Sequence, residues 1–249
     1  MKLLNKIIVL LGVIMAAELI PYGVSKFMDD SISGMLANVP WGIWVSILVH
    51  RGMQFLSAYI LLKLIFKGKL SDWGFNFKNK QLSLKILTYV FIIWPIIILA
   101  FFLLSLHTVP GFANYIYRLY PPNGWSIAAH LGRDILLLDA FAEEILYRSF
   151  VMLALAKYWQ GALRVKGWSI SYATLLSVPI FMFAHVSISI FPFQILYYDP
   201  VQILLTFFTG LLFAVSYEKT ESLFCSIVSH GYTNLIIAIA GFLTTFFVR

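Results

Sequence analysis

The sequence predicts an all-α fold: a polytopic transmembrane helical bundle of seven or eight spans, forming a single integral membrane domain over residues 1–249. Of the 249 residues, 61% are hydrophobic and only 12% are charged, and the mean hydropathy is +0.87. The apolar residues stand in long runs separated by short basic segments, which excludes a water-soluble domain and an alternating-pattern barrel. Because lipid offers no hydrogen bonds to the backbone, these runs are expected to be helices.

Seven stretches are long enough to cross a bilayer, which takes about 20 apolar residues. The first extends past Glu18 towards Val24 and is interpreted as an uncleaved span rather than a signal peptide. The fourth is long enough to be an interfacial helix followed by a span, or two spans, which would raise the count to eight. The six later stretches lie at about 41–62, 84–106, 127–156, 170–190, 200–217 and 222–247.

The positions of the basic residues predict the orientation of the chain. Most of the 18 Lys and Arg residues fall near span ends on one side, whereas Lys26, Arg118 and Arg249 fall on the other. By the positive-inside rule the amino terminus is expected in the cytoplasm. The net charge of +7 is thereby explained without a nucleic-acid partner. The pattern suits a prokaryotic plasma membrane, which we favour, as well as an endomembrane.

The fourth predicted span carries the densest group of ionisable residues, although intramembrane charge is costly. On a helix Glu144 and Arg148 are four residues apart and can form an ion pair. Glu143 has another acid, Asp139, four residues before it and no cation at this spacing. Clustered carboxylates cannot all ionise cheaply, so one of them is suited to take or give a proton. The charged residues of this span are Arg133, Asp134, Asp139, Glu143, Glu144 and Arg148.

Two further predicted spans carry histidines at internal depth. His185 lies in the fifth span, and His230 lies in the seventh, where Asn234 shares its helical face. Taken singly, each histidine is more typical of a hydrogen-bonded packing residue than of a catalytic one. Together with Glu143 they supply a general base, two imidazoles and an amide donor, which are the parts needed to activate water and hold an oxyanion.

Some polar residues have a less direct interpretation. His50 and Arg51 in the second predicted span are expected to be structural partners of Asp134 or Asp139. His185 falls late in its span, nearer the outer face than the other site residues. Either an error in the span boundary or an extension of that helix towards Pro192 would bring it level with them.

Three short motifs occur on separate predicted spans. They are an EExxxR motif at 143–148, an FxxxH motif from Phe181 to His185 and an HxxxN motif from His230 to Asn234. In this order they resemble the CPBP family of intramembrane proteases, also described as the Abi or type II CAAX prenyl endopeptidase-like group. Each motif fixes only two or three positions, but the ordered trio in a polytopic chain is fairly specific. The resemblance covers about 135–240, and a protease-like core is expected at about 127–245.

The resemblance implies an intramembrane endopeptidase that hydrolyses a peptide bond of a membrane-associated or lipidated peptide or protein. By family similarity Glu143 and His185 would activate the attacking water. His230 and Asn234 would stabilise the tetrahedral oxyanion, and Glu144 would support the site. The implied catalytic set is Glu143, His185, Glu144, His230 and Asn234, with Arg148 and Phe181 in supporting positions.

The sequence does not decide whether the site uses a metal, and it leaves two other classes of function open. Glu143, His185 and His230 would also be a plausible zinc set, although a water activated by glutamate needs no ion, and we favour the metal-independent mechanism. Apart from lipid, the expected partner is the substrate. The alternatives are a membrane transporter or proton-relay protein, which would show inverted repeats and broken helices, and a non-catalytic membrane immunity or regulatory partner, which would show a damaged motif.

Overall fold

A computed structural model of the protein describes residues 3–28, 42–189 and 194–247. Trp41, at the predicted start of the second span, and Pro192 lie outside these ranges. The helices are α1 Leu3–Met28, α2 Gly42–Phe66, α3 Lys80–Thr108, α4 Phe112–Leu119, α5 Gly124–Ile135, α6 Leu138–Glu144, α7 Met152–Tyr158, α8 Tyr172–Phe183, α9 Pro200–Thr220 and α10 Leu223–Phe247. A 3-10 turn spans Leu70–Trp73, a π-helical segment spans Ile145–Val151, and the strands are β1 Ala162–Val165, β2 Trp168–Ser171, β3 Ser187–Ser189 and β4 Gln194–Tyr197.

The all-α prediction is confirmed by a bundle dominated by long apolar helices. Among the described residues, α1, α2, α3, α9 and α10 are long and apolar enough to cross a membrane. They coincide with five of the seven predicted spans, while α8 is a shorter apolar helix. On α3, large side chains such as Ile92, Ile96 and Leu104 are exposed, as expected for a surface whose solvent is lipid.

The structure divides the predicted stretch at 127–156, a possibility that the sequence left open. Four helical pieces replace it, because the chain turns between α5 and α6 and then widens into the π-helical segment. Leu137 has a φ of 57°, a left-handed conformation that an α-helix does not tolerate. Neither glycine nor proline marks the turn itself, so the sequence left open whether this stretch is one span or is divided.

The predicted span at 170–190 is also too long. Its helix, α8, ends at Phe183, and the chain then forms the antiparallel hairpin β3–β4, in which Ile188 pairs with Ile195. Of the two explanations for the depth of His185, the helix extension towards Pro192 is therefore wrong, and the predicted span boundary was misplaced. A second hairpin, β1–β2, joins α7 to α8, with Ala162 opposite Ser171. These short hairpins are the only strands in the described part of the chain.

The carboxyl-terminal helix α10 is central to the packing. It contacts α3, α4, α5, α6 and α9, whereas α2 packs on α6 and on the π-helical segment. Its approach to the α5–α6 turn is close: a Cβ atom at Gly231 would lie 2.1 Å from Leu137 Cδ2. Gly231 follows His230 directly, so this contact positions the part of α10 that carries the predicted site residues.

Candidate active site

A polar cavity of about 460 Å³ lies inside the bundle. Glu143 reaches it from the end of α6, His185 from the turn after α8, and His230 and Asn234 from α10. The fold therefore brings residues of all three motifs to one cavity, although the motifs are far apart in sequence. The premature end of α8, rather than its extension, puts His185 at this depth.

Glu143 has different neighbours on its two carboxylate oxygens. Oε1 lies 3.1 Å from Arg51 Nη1, and Oε2 lies 3.8 Å from His230 Nε2. The side chain is 15% exposed, so it faces the cavity without being open to bulk solvent. A carboxylate in this position can accept a proton from a molecule in the cavity.

Arg51 and Arg133 bind the acidic residues that border the cavity. Arg51 Nε lies 2.5 Å from Asp139 Oδ1, which confirms the expected partnership of Arg51 with Asp139. Arg133 Nε lies 3.0 Å from both Asp139 Oδ2 and Asp134 Oδ1. The contact of Arg51 with Glu143 was not predicted. Its signal in the sequence was the polar His50–Arg51 pair inside an apolar run, and His50 also lines the cavity.

Glu144 is fully buried and connects two partners. Arg148 Nε donates a hydrogen bond of 3.0 Å to Oε2, and His230 Nδ1 lies 2.8 Å from Oε1. An ionised carboxylate only accepts hydrogen bonds, so Nδ1 of His230 carries the hydrogen. Phe213 stacks on the imidazole with ring centroids 4.6 Å apart. These contacts fix the ring with its Nε2 on the side of Glu143.

The backbone and Phe181 fix the ring of His185. Nδ1 lies 2.9 Å from the carbonyl oxygen of Phe181, and because a carbonyl only accepts, this nitrogen donates. Nε2 of the neutral ring then carries the lone pair and can accept a proton. The buried Phe181 ring packs edge-on to His185 and His230, with centroid distances of 5.0 and 6.0 Å. Phe181 thus contacts both predicted catalytic imidazoles.

The cavity also contains residues that the motifs did not indicate. Tyr120, Tyr147 and Gln202 line it, each from a different segment. Burial raises the pKa of Tyr120 to about 12, so its hydroxyl stays protonated at neutral pH and can donate a hydrogen bond. No periodic or motif signal marks these residues, because their positions depend on how the helices pack.

The described residues do not fit a metal centre. Within 3–28, 42–189 and 194–247, no group of three or more His, Cys, Asp and Glu side chains is arranged to hold a metal ion. Glu143, the carboxylate of the candidate zinc set, forms an ion pair with the guanidinium of Arg51, whose positive charge disfavours a metal cation at the same group. We therefore derive no step through a metal.

Residues 125–236 match the family model described as type II CAAX prenyl endopeptidase Rce1-like. This region is Rce1-like. The match confirms the resemblance to the CPBP and Abi group and indicates a protease, which is a hydrolase. The Rce1-like region begins in α5, ends in α10 and includes all three motifs. Together with the long apolar helices, it indicates an integral membrane protein. No curated protein and no solved structure matched the chain.

Proposed function

We propose that the protein is an intramembrane endopeptidase that hydrolyses a peptide bond of a membrane-associated or lipidated peptide through a water molecule activated by Glu143. The observation that carries this proposal is the convergence of Glu143, His185, His230 and Asn234 on one cavity of an Rce1-like region. These groups provide a base, proton-handling imidazoles and an amide donor.

The proposed reaction is an addition followed by an elimination. Glu143, assisted by His185, takes a proton from water, and the hydroxide forms a bond to the carbonyl carbon of the substrate. In this proposal His230 is an imidazolium, with one hydrogen on Nδ1 for Glu144 and a second on Nε2. Its Nε2–H and the Asn234 amide donate hydrogen bonds to the resulting oxyanion. The C–N bond then breaks, and the proton held by Glu143 passes to the departing amine. The products are a carboxylic acid and a free amine, so one water is consumed for each bond cleaved.

The remaining charged residues have positioning roles in this proposal. Glu144 holds the His230 ring by its 2.8 Å contact and is itself bound by Arg148. Arg51, 3.1 Å from Glu143, contacts the carboxylate of the base and restricts its orientation. Such groups act through the residues that touch the substrate.

The proposed substrate is a short membrane-associated or lipidated peptide or protein. The family description names prenylated CAAX proteins, and other lipid-anchored peptides would present their peptide bonds at the same depth. A bilayer is the second partner, and a prokaryotic plasma membrane with the amino terminus in the cytoplasm is the proposed location. These statements extend the charge pattern of the sequence.

The test is cleavage of a library of membrane-associated peptides by purified protein in liposomes, with Glu143→Ala and His185→Ala for comparison. We expect defined products from the wild type and none from the variants. Equal cleavage by all three proteins would contradict the mechanism. Activity that a chelator abolishes and zinc restores would contradict the metal-independent route. Proton or solute flux that persists in a proteolytically silent variant would instead support a transporter.

A further inference from the structure

A second pocket, with a volume of about 180 Å³, adjoins the polar cavity. Six residues line both spaces, and His185, His230 and Asn234 are among them. The second pocket therefore begins at the groups to which the proposed function assigns the chemistry. A substrate whose scissile bond lies at these groups must place a neighbouring side chain at the entrance of the pocket.

The two spaces differ in the chemistry of their walls. Charged side chains, including Arg51, Arg133 and Asp139, line the polar cavity. Aromatic and aliphatic side chains, drawn mainly from α3, α4 and α9, form most of the second pocket. Phe102 and Phe112 pack edge to face with centroids 5.7 Å apart, and both belong to a buried apolar cluster. These walls are part of the packed core, so the pocket is preformed.

Two polar side chains of the second pocket, Asp199 and Thr209, have partners within the protein. Asp199 Oδ1 accepts hydrogen bonds from the backbone N–H groups of Val201 and Gln202 at the start of α9. The Thr209 hydroxyl donates to the carbonyl oxygen of Thr206. A ligand therefore finds mainly apolar contacts, and the Asp199 carboxylate repels an acidic group.

The volume limits the size of the occupant. About 180 Å³ is below the roughly 300 Å³ at which pockets for drug-sized ligands begin. The space therefore fits one amino-acid side chain better than a long lipid chain. We infer that this pocket receives a neutral, apolar side chain of leucine to phenylalanine size from the substrate residue next to the scissile bond. The inference rests on the proposed function, whose site supplies the entrance.

Leu205 and Thr206 allow the pocket to be resized from one helix. Both line it, so Leu205→Ala enlarges the space and Thr206→Leu reduces it. Leu204→Ala is the matched control, because Leu204 precedes them on α9 and is 52% exposed. Peptides carrying Ala, Leu, Phe or Asp on either side of the cleaved bond provide the probes. Each variant is compared by kcat/KM in liposomes.

At one of the two substrate positions, we expect the wild type to prefer Leu over Ala by at least about 10-fold and to reject Asp. Leu205→Ala should shift the preference towards Phe, Thr206→Leu should shift it towards Ala, and Leu204→Ala should leave it unchanged. A profile that is identical in all four proteins would overturn the inference.

Binding separates this inference from the proposed function. The dissociation constants of the same peptides are measured on the Glu143→Gln background, where hydrolysis is not required. We expect the same order of side chains in these constants, with the same shifts in the pocket variants. Side-chain preference in binding without cleavage by the wild type would contradict the proposed function alone. Equal affinity for Ala, Leu, Phe and Asp peptides would overturn the pocket.

Discussion

At the scale of single residues, the central feature is the guanidinium of Arg51. It contacts Asp139 at 2.5 Å and Glu143 at 3.1 Å, so one cation from α2 holds two acids from α6. Arg133 contributes a second cation to Asp139, which leaves Arg51 available to Glu143. The proposed base is thus held in place by a residue that the three motifs do not include.

Replacing Arg51 separates its positioning role from its contribution to stability. Arg51→Gln should lower kcat by about 10- to 100-fold with a smaller change in KM, because a misplaced base affects the reaction more than binding. It should also lower the melting temperature, since Asp139 loses a partner. The double variant Arg51→Gln, Asp139→Asn balances the charge, and we expect it to regain the melting temperature without regaining kcat. Recovery of kcat in the double variant would contradict the positioning role.

The residues of the motifs were predictable from the sequence, and their surroundings were not. Glu143, His185 and His230 are recognisable because intramembrane polar groups are rare and their spacing is fixed. The shared face of Asp139 and Glu143 was also predictable, and Arg51 contacts both. Tyr120 and the partnership of Arg51 with Glu143 depend on contacts between distant elements, for which a single sequence holds no pattern.

At the scale of elements, the turn at Leu137 and the π-helical segment after Glu144 shape the site. The turn redirects the chain between α5 and α6, and the wider helix follows directly after the paired acids. Single π-helical segments within α-helices are frequent at functional sites. Hydropathy left open whether this stretch is one span or is divided, because it reports burial in lipid and not the backbone conformation.

Gly231 tests the packing of α10 against this turn. A Cβ atom there would lie 2.1 Å from Leu137 Cδ2, so Gly231→Ala should destabilise the protein by about 1–3 kcal/mol and lower activity by displacing His230. Gly12→Ala is the control, because nothing lies within 4 Å of its Cβ position. Chemical unfolding in detergent gives the comparison. If the second substitution Leu137→Ala does not restore the stability of Gly231→Ala, the loss of stability does not come from the contact with Leu137.

At the scale of the whole molecule, a fully buried ion pair lies within an apolar bundle. Glu144 and Arg148 both have side chains with 0% exposure, and Phe181 packs 4.9 Å from the Arg148 guanidinium carbon. Desolvating two charges is costly, and removing only one of them leaves the other uncompensated. The pair therefore links the integrity of the bundle to the position of His230.

Arg148→Met should lower the free energy of unfolding by about 3–5 kcal/mol, because it leaves Glu144 buried without its cation. Lys78→Met is the control, since Lys78 forms an exposed pair with Glu221 and exposed pairs contribute little. Denaturant titration in detergent micelles measures both. Equal stability of the two variants would contradict the structural role of the buried pair.

The topology predicted from the basic residues can be tested across α3. Lys69 precedes this helix in the chain and Asn114 follows it, and both residues are exposed. In a Cys225→Ser background, we expect a membrane-impermeant thiol reagent to label Lys69→Cys only from the cytoplasmic side and Asn114→Cys only from the opposite side. The reverse labelling would overturn the proposed orientation while leaving the site unchanged.

The central claim is that Glu143 activates the water that cleaves the peptide bond, and Glu143→Gln tests it most directly because it keeps the size of the side chain and removes the base. The measurement is kcat in liposomes together with the dissociation constant of the substrate, with the exposed Glu221→Gln as control. We predict a loss of kcat of at least about 100-fold with substrate affinity and melting temperature unchanged. A kcat within about threefold of the control, outside the range that general-base catalysis supplies, would contradict the account.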